Sequence, residues 1–243
     1  MPPMSSSALS SVEEESARTD APTVDRRSQM WLSRLALREV GQRVIEAGCG
    51  LGSWTRLLVK NREQVVALDP HPTHVAKLLS RFQSQPNLDA MTMELSAPRF
   101  RDLARFHPDS VLCVDALARE EDDQRALFNF TTVLPRGGKV VLLVPAGPSL
   151  FGSLDMALGH HRRYTKESLL QLAGSVGLKT REMRYVNMAG FFGWWIDNRV
   201  FESAELAPPG SLRERMVPYL ERVERLIAPP FGQSLFAVLE LPA

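Results

Sequence analysis

The chain has 243 residues, with 29 lysines and arginines against 28 aspartates and glutamates, so its formal net charge is +1. Such a balance argues against nucleic acid as the main partner, because that partner needs a basic surplus or stripe. The length allows one large α/β domain with a well-buried core. The two cysteines, Cys49 and Cys113, exclude a disulfide scaffold and fit a reducing, cytoplasmic compartment.

Residues 1–27 are rich in Ser, Glu, Pro and Ala and lack the continuous apolar run of a signal peptide. We expect them to form a disordered tail. The longest apolar stretch, residues 188–196, is well short of the roughly 20 residues that a membrane-spanning helix needs. The sequence therefore predicts a protein without a transmembrane segment.

From residue 28 onward, apolar strands alternate with segments of helical periodicity, beginning with a helix that contains Met30 and Leu37. Strands that are apolar throughout, separated by helices, predict a parallel sheet covered on both faces. We expect one domain over residues 28–243, with an aromatic and helical insertion at about 188–232 before the last strand. The predicted strands are 43–46, 64–68, 89–94, 110–115, 139–145, 179–185 and 234–241, and the later helices are 52–60, 71–82, 121–134, 165–176 and 211–226.

The strongest signal is a glycine-rich turn, residues 46–52 (EAGCGLG), between the first predicted strand and the next helix. We call this segment the glycine turn. Glycines there allow a ligand to approach the backbone closely. The dinucleotide fingerprint requires Gly or Ala where this chain has Ser53. Glu46 would repel a pyrophosphate and suits a cationic ligand such as a sulfonium, which favours S-adenosyl-L-methionine over NAD.

Asp69 ends the second predicted strand, where an acidic side chain can accept both hydroxyls of an adenosine ribose in either cofactor class. The alternative is that Asp69 only caps a turn before Pro70. Strand, acid, spaced glycines, helix, strand and acid occur in that order, which makes coincidence improbable.

The glycine turn and Asp69 resemble motif I and the acidic second-strand end of the class I S-adenosylmethionine-dependent methyltransferases. Residues 134–138 (LPRGG) resemble the turn before the fifth strand of that superfamily, and residues 144–165 (VPAGPSLFGSLDMALGHHRRYT) resemble a bacterial subgroup that acts on small molecules. The resemblance implies a Rossmann-like α/β fold, with a seven-stranded, mainly parallel sheet whose last strand is antiparallel. It also implies methyl transfer from S-adenosyl-L-methionine, with S-adenosyl-L-homocysteine as the product.

The resemblance further implies cofactor contacts along the carboxyl ends of the first four strands. The glycine turn would line the methionine end of the cofactor and Asp69 would hold the ribose. Other residues would flank the adenine or close the pocket. The full expected set is Glu46, Gly48, Cys49, Gly50, Gly52, Asp69, Pro70, Glu94, Leu95, Val114 and Asp115.

The chain departs from the family pattern after the fourth strand. The family commonly has Asn and then Leu-Glu-His there, whereas this chain has Asp115 followed by Leu117, Ala118 and Arg119. A catalytic role of that Glu-His pair is therefore not carried over.

Methyl transfer to an oxygen also needs a base, and histidine is the usual one near neutral pH. The resemblance places the segment after the fifth strand over the cofactor's methyl group. Our hypothesis is that His160 is the base or an acceptor-orienting group, assisted by Asp155 and Tyr164. The alternative is that the histidines and arginines of this segment pin the loop to the following helix.

Acceptor-binding candidates flank this group. Arg162 and Arg163 could clamp a carboxylate or phosphate, with His161 beside them, or they could form surface salt bridges. Trp194 and Trp195 could wall an apolar acceptor pocket, touch a membrane weakly or form a dimer contact. Packing in the core beneath the charged helix is the alternative for the aromatic residues.

We expect no metal site, because the sequence lacks ligand spacing on a regular element, and we expect His71 and His74 to be solvated on a helix face. The absence of an Asn/Asp-Pro-Pro-Tyr/Phe motif after the fourth strand argues against nucleic-acid bases as acceptors. The preferred interpretation is a monomeric or homodimeric methyltransferase acting on an oxygen or nitrogen of a small or lipid-like molecule. The alternatives are a non-catalytic protein of the same fold, used for binding or assembly, and an NAD(P)-dependent oxidoreductase, which Glu46 and Ser53 disfavour.

Overall fold

The computed structural model describes residues 26–188, 190, 191, 224 and 229–243, with side chains from residue 29 onward. Trp194 and Trp195 lie outside the described residues, as do residues 1–25 and most of the predicted insertion and its charged helix. The first helix begins at Arg26, two residues before the expected start of the domain.

A seven-stranded sheet with strand order β3-β2-β1-β4-β5-β7-β6 forms the centre of the fold. Neighbours among the first five strands are parallel, whereas β7 pairs antiparallel with both β5 and β6. The expected fold class, including the antiparallel last strand, is therefore confirmed. The strands are β1 (Arg43–Ala47), β2 (Gln64–Asp69), β3 (Leu88–Thr92), β4 (Ser110–Val114), β5 (Lys139–Pro145), β6 (Lys179–Val186) and β7 (Ser234–Glu240).

The central strands are apolar throughout because both of their faces are covered. Val44 packs into one apolar cluster with Trp31 and Leu58, while its neighbour Ile45 packs into another with Phe130. Since successive side chains of a strand point to opposite faces, the two clusters lie on the two sides of the sheet. A continuous apolar run is what this layering requires.

Six α-helices and three 3₁₀ segments occur in the described part of the chain. Thr165 caps the helix that follows it, as predicted, by accepting from the Ser168 backbone N–H. The predicted helix at 52–60 is much shorter in the structure, because Gly52 has a φ of +86° and the helix starts only at Thr55. The helices are α1 (Arg26–Leu37), α2 (Thr55–Leu58), α3 (Pro72–Arg81), α4 (Asp123–Val133), α5 (Ser153–Ala157) and α6 (Lys166–Ser175), and the 3₁₀ segments are Pro98–Phe106, Ala116–Arg119 and Pro148–Leu150.

The strand order reverses direction between β1 and β4, since the chain runs outward to β3 and then returns to the other side of β1. In open parallel sheets, ligands bind outside the carboxyl ends of the strands at such a switch point. The glycine turn follows β1 at this point. Within the described residues, no helix is both long and apolar enough to cross a bilayer.

Candidate functional site

The glycine turn is held against the ends of β2 and β4. The backbone N–H of Gly48 donates to the Leu68 carbonyl at 2.9 Å, and that of Gly50 donates to Asp69 Oδ2 at 2.9 Å. Gly48 has a φ of +83°, and a Cβ on it would lie 2.2 Å from the Ala116 Cβ. The turn therefore needs glycine at this position both for its backbone conformation and for its close approach to the chain after β4.

Asp69, the last residue of β2, has hydrogen-bond contacts to both of its carboxylate oxygens. Its Oδ1 accepts from the His71 backbone N–H at 3.0 Å and lies 3.2 Å from His71 Nδ1 and 2.9 Å from His74 Nδ1. Burial alone would raise the pKa of Asp69, but hydrogen bonds from His74, His71 and Gly50 outweigh it and hold the pKa below its usual range. An ionised carboxylate thus stands at the position predicted for ribose binding, and it also caps the turn before α3.

The prediction that both histidines near Asp69 are solvated is wrong for His74, which is only 1% exposed. The extended backbone of His71 starts α3 and turns His74 inward toward the Asp69 carboxylate. Among the described residues, one ligand atom of each of these three side chains lies within 4.8 Å of the others, a spacing that a metal ion can bridge. Hydrogen bonds already account for this grouping, and the absence of a metal site stays a prediction.

Glu46 lies behind the glycine turn and is buried. Thr55 Oγ1 donates to its Oε2 at 2.6 Å. Burial raises the pKa of Glu46 to about 8, with a smaller contribution from the negative charge of Asp69. The preference of Glu46 for a cationic ligand therefore applies to its ionised form, which a nearby positive charge would restore.

A cleft of about 250 Å³ opens between the carboxyl ends of β2 and β4, and residues that follow β5 cover it. Four of the predicted cofactor residues line it, namely Gly48, Asp69, Pro70 and Leu95, while the other predicted cofactor residues are not among the lining residues described. Sequence reasoning missed the remaining lining residues, which are His71, Ala116, Arg119, Glu120, Met156, Ala157, Leu158 and Gly159.

Asp115 and Glu94 adjoin the cleft in different ways. Asp115 has a φ of +56°, and this left-handed turn directs the chain after β4 so that Ala116 meets the glycine turn. Glu94 is exposed, whereas the next residue, Leu95, is buried and faces the cleft.

Glu120 is a cleft residue that the sequence did not single out. Its Oε1 accepts from the Leu95 backbone N–H at 3.3 Å, and burial raises its pKa. On the far side of the same turn, Asn129 of α4 donates to the carbonyls of Leu95 and Ala97 at 2.8 and 3.1 Å. These bonds fix the turn after β3 where it borders the cleft.

The acceptor-side candidates Asp155 and His160 are in contact. Asp155 is fully buried, and its Oδ1 lies 3.0 Å from His160 Nδ1 and 2.8 Å from Arg163 Nε. Its Oδ2 accepts from the Gly152 backbone N–H at 3.1 Å, at the start of α5. Burial alone would raise the pKa of Asp155, but His160 and Arg163 hold it below its usual range.

His160 has one engaged ring nitrogen. Because an ionised carboxylate only accepts, the Nδ1 that contacts Asp155 carries a proton, and Nε2 is the ring nitrogen left for another contact. His160 Nε2 is buried and has no hydrogen-bond partner among the described residues. A buried polar atom without a partner is unusual and is a candidate contact for a ligand.

The structure does not bring Tyr164 to this pair. The Tyr164 hydroxyl donates to Asp123 Oδ2 of α4 at 2.8 Å, and burial raises the pKa of Tyr164. Arg162 binds the other oxygen of Asp123 at 2.8 Å. The side chain of His161 is exposed. These contacts tie the segment to α4, which precedes it, and not to the following helix that the alternative named. The predicted roles of these residues in catalysis or acceptor binding stay predictions.

Arg163 is not placed as an acceptor clamp. It is only 6% exposed, its Nε contacts Asp155 and its Nη1 donates to the Ala146 carbonyl at the end of β5 at 3.0 Å. Neither Arg163 nor Arg162 is among the described residues that line the cleft.

A family model described as a methyltransferase domain matches residues 45–140, which hold the glycine turn, Asp69, most of β1 and all of β2–β4. A protein of Mycobacterium tuberculosis (strain H37Rv), named "Probable S-adenosylmethionine-dependent methyltransferase", is 34% identical over 103 residues. That match covers 40% of this chain and only 38% of the relative's own length.

Solved structures share the fold at low identity. N-methyltransferase NodS of Bradyrhizobium japonicum in complex with S-adenosyl-L-homocysteine has a TM-score of 0.57 at 16% identity, covering 92% of this chain and 90% of that one. An S-adenosylmethionine-dependent methyltransferase of Mesorhizobium loti has a TM-score of 0.59 at 16% identity, covering 88% and 97%. The [4+2]-cyclase SpnF has a TM-score of 0.62 at 16% identity, covering 87% and 80%.

Gly48→Ala should destabilise the protein strongly. The left-handed backbone costs a residue with a Cβ about 1–2 kcal/mol, and the overlap with Ala116 adds about 1–3 kcal/mol of overpacking. Urea unfolding measures the loss of stability. The double variant G48A/A116G should recover only the part of that loss that comes from the overlap. Equal stability of G48A and the wild type would contradict the close approach.

The pH dependence of stability should report the buried Glu46 carboxyl. Between its ordinary pKa of 4.5 and its pKa of about 8, the folded state keeps a proton that the unfolded state has released. The free energy of unfolding should therefore fall as pH rises through this window. Glu46→Gln removes this contribution, so the difference between wild type and variant in urea unfolding should change with pH across the window. A constant difference would show that Glu46 titrates normally.

Proposed function

We propose that the chain is a class I S-adenosylmethionine-dependent methyltransferase and that it transfers a methyl group to an oxygen or nitrogen of a small-molecule acceptor. The observation that carries the proposal is the pairing of the glycine turn with an ionised, buried carboxylate on Asp69 at the switch point of the sheet.

The residues at the cleft fit the cofactor. Gly48 lines the cleft and brings its backbone to the ligand side, and Asp69 offers carboxylate oxygens to ribose hydroxyls. Glu46, once ionised, would favour the positive charge of the methionine end. When bound, S-adenosyl-L-methionine supplies an electrophilic methyl group on a sulfonium. Glu120 and Leu95 would border the adenine.

His160 is the base of this proposal. Asp155 fixes the tautomer that leaves the Nε2 lone pair free, as a buried carboxylate does for a catalytic histidine in other enzymes. When the acceptor oxygen or nitrogen gains its new bond, its proton passes to Nε2. The acceptor would thereby become the hydrogen-bond partner that Nε2 lacks among the described residues.

The surroundings support a weakly polar, uncharged acceptor. Arg162 and Arg163 are committed to Asp123 and Asp155, so a guanidinium clamp for a carboxylate or phosphate has no support from their contacts. Near the cleft, an apolar cluster forms beside the exposed side chains of Phe151 and Met156, and its members are Leu150, Leu154, Leu158 and Phe191. A role in small-molecule biosynthesis in the cytoplasm, as a monomer or homodimer, belongs to the same proposal.

The relative NodS is named an N-methyltransferase, which supports keeping nitrogen beside oxygen as the acceptor atom. SpnF is named a [4+2]-cyclase although it shares the fold. Cofactor binding and methyl transfer therefore need separate tests, because the fold alone does not fix the reaction.

Cofactor binding should appear as thermal stabilisation. S-adenosyl-L-methionine and S-adenosyl-L-homocysteine at 100 times their Kd should each stabilise the protein by about 2.7 kcal/mol, whereas NAD should not. Asp69→Asn should remove the effect, and Asp102→Asn, at an exposed position, is the matched control. Stabilisation by NAD alone would reverse the assignment.

Methyl transfer can be followed with labelled S-adenosyl-L-methionine and the small-molecule fraction of an extract from the source organism. The wild type should pass label to a small molecule. His160→Gln should slow this by about 10²- to 10⁴-fold, the usual contribution of a base, without loss of cofactor binding. Tyr164→Phe should retain most activity, since its hydroxyl bonds to Asp123. Wild-type turnover by H160Q would remove His160 from the mechanism, and cofactor binding without any label transfer would favour a non-transferring role.

A further inference from the structure

We propose that Arg163 is a positioning residue, which supplies the counter-charge of Asp155 and thereby leaves the His160 imidazole neutral with its Nε2 lone pair free. This inference rests on the proposed role of His160 as a base. Arg163 would act through Asp155 and would not touch the acceptor.

The first step is the burial of the Asp155 charge. The side chain has 0% exposure, and an isolated carboxylate at such a place would be costly unless it is paired and hydrogen-bonded. The Arg163 guanidinium, itself buried, lies with Nε 2.8 Å from Asp155 Oδ1. Guanidinium stays protonated in proteins, so this pair is neutral as a whole.

The second step concerns whether His160 provides Asp155 with a positive charge or only with a hydrogen bond. With the charge of Asp155 already balanced, His160 Nδ1 needs to donate only a hydrogen bond to Oδ1, at 3.0 Å. A proton on Nε2 would create a second buried N–H with no acceptor among the described residues. Leaving such a donor unpaired is unfavourable, so the neutral ring is the stable form.

The third step concerns the other charges around this group. Arg163 Nη1 is anchored on the Ala146 carbonyl at the end of β5. Asp115, partly exposed at the end of β4, is the other negative group that acts on Arg163. His161 is the adjacent titratable residue in the chain, and its side chain is exposed. Among these groups, Asp155 is the carboxylate that His160 and Arg163 share.

Without Arg163, the buried Asp155 carboxylate would have His160 as its nearest source of positive charge. The imidazole would then take up a proton at Nε2 and lose the lone pair that accepts the acceptor's proton. Arg163 would in this way hold His160 in its basic form, although it lies outside the cleft lining.

The test follows the ring nitrogens of His160 by ¹⁵N-detected NMR on the whole chain, with the His160 signals assigned by their loss in H160Q. In the wild type at neutral pH, we expect a neutral ring with the proton on Nδ1. In Arg163→Met, the pH at which His160 takes up its second proton should rise by at least about one unit, a tenfold change in proton affinity. Arg163→Lys, which keeps the charge, should restore most of the wild-type behaviour.

Arg162→Met is the matched control, because its guanidinium pairs with Asp123 and not with Asp155. It should leave the His160 signals unchanged. If R163M titrates like the wild type, or if R162M shifts His160 equally, the proposal is wrong.

A second variant tests the proposal independently in case R163M does not fold. Asp155→Asn removes the charge that Arg163 balances, so His160 should take up its second proton at a lower pH than in the wild type. In D155N/R163M both charges are absent, and that pH should return toward the wild-type value. A higher proton affinity of His160 in D155N would overturn the proposal. These readouts need neither cofactor nor acceptor, so they stay separate from the outcome of H160Q on methyl transfer.

Discussion

Three carboxyl groups, those of Glu46, Asp69 and Asp155, are buried at the carboxyl edge of one sheet, and the site is built around satisfying them. A buried carboxylate costs several kcal/mol unless it is protonated, paired or hydrogen-bonded. Each group uses a different solution. Burial raises the pKa of Glu46, two histidines and two backbone N–H groups bind Asp69, and Arg163 balances Asp155.

These solutions fix the local architecture. The bond from Gly50 to Asp69 ties the glycine turn to β2, and His74 ties α3 to the same carboxylate. Asp155 joins the start of α5 to the chain after it through Gly152 and Arg163. Since residues at the end of α5 also line the cleft, the wall of the cleft and the position of His160 depend on one carboxylate. The proposed cofactor site and the proposed base are thus coupled through buried charge.

The sequence predicted the sheet closely because the central strands are apolar throughout; β5 has the predicted bounds, and β1 and β2 extend one residue further. Periodicity could not find the 3₁₀ segment Pro98–Phe106 or α5, since both are short and mixed in composition. The antiparallel direction of β7 came from the family resemblance, because a strand pattern does not carry direction. The burial of His74 depends on the backbone at His71, which the residue types alone do not specify.

The sequence identified many residues of the candidate site but few of the contacts that they make. Asp155 and His160 meet because the chain closes a turn at the end of α5, where the His160 N–H donates to the Asp155 carbonyl at 2.9 Å. Arg163 and Tyr164 are adjacent in the chain, and an isolated β-bridge between Ala146 and Tyr164 shows that the backbone is extended there. Neighbours in extended chain point to opposite sides, so Arg163 reaches Asp155 while Tyr164 reaches α4.

The most direct test of the central claim is a crystal structure of the protein with S-adenosyl-L-homocysteine. The account predicts the ligand over the glycine turn, with its ribose hydroxyls on the Asp69 carboxylate. A ligand bound elsewhere, or one whose ribose does not contact Asp69, would contradict it.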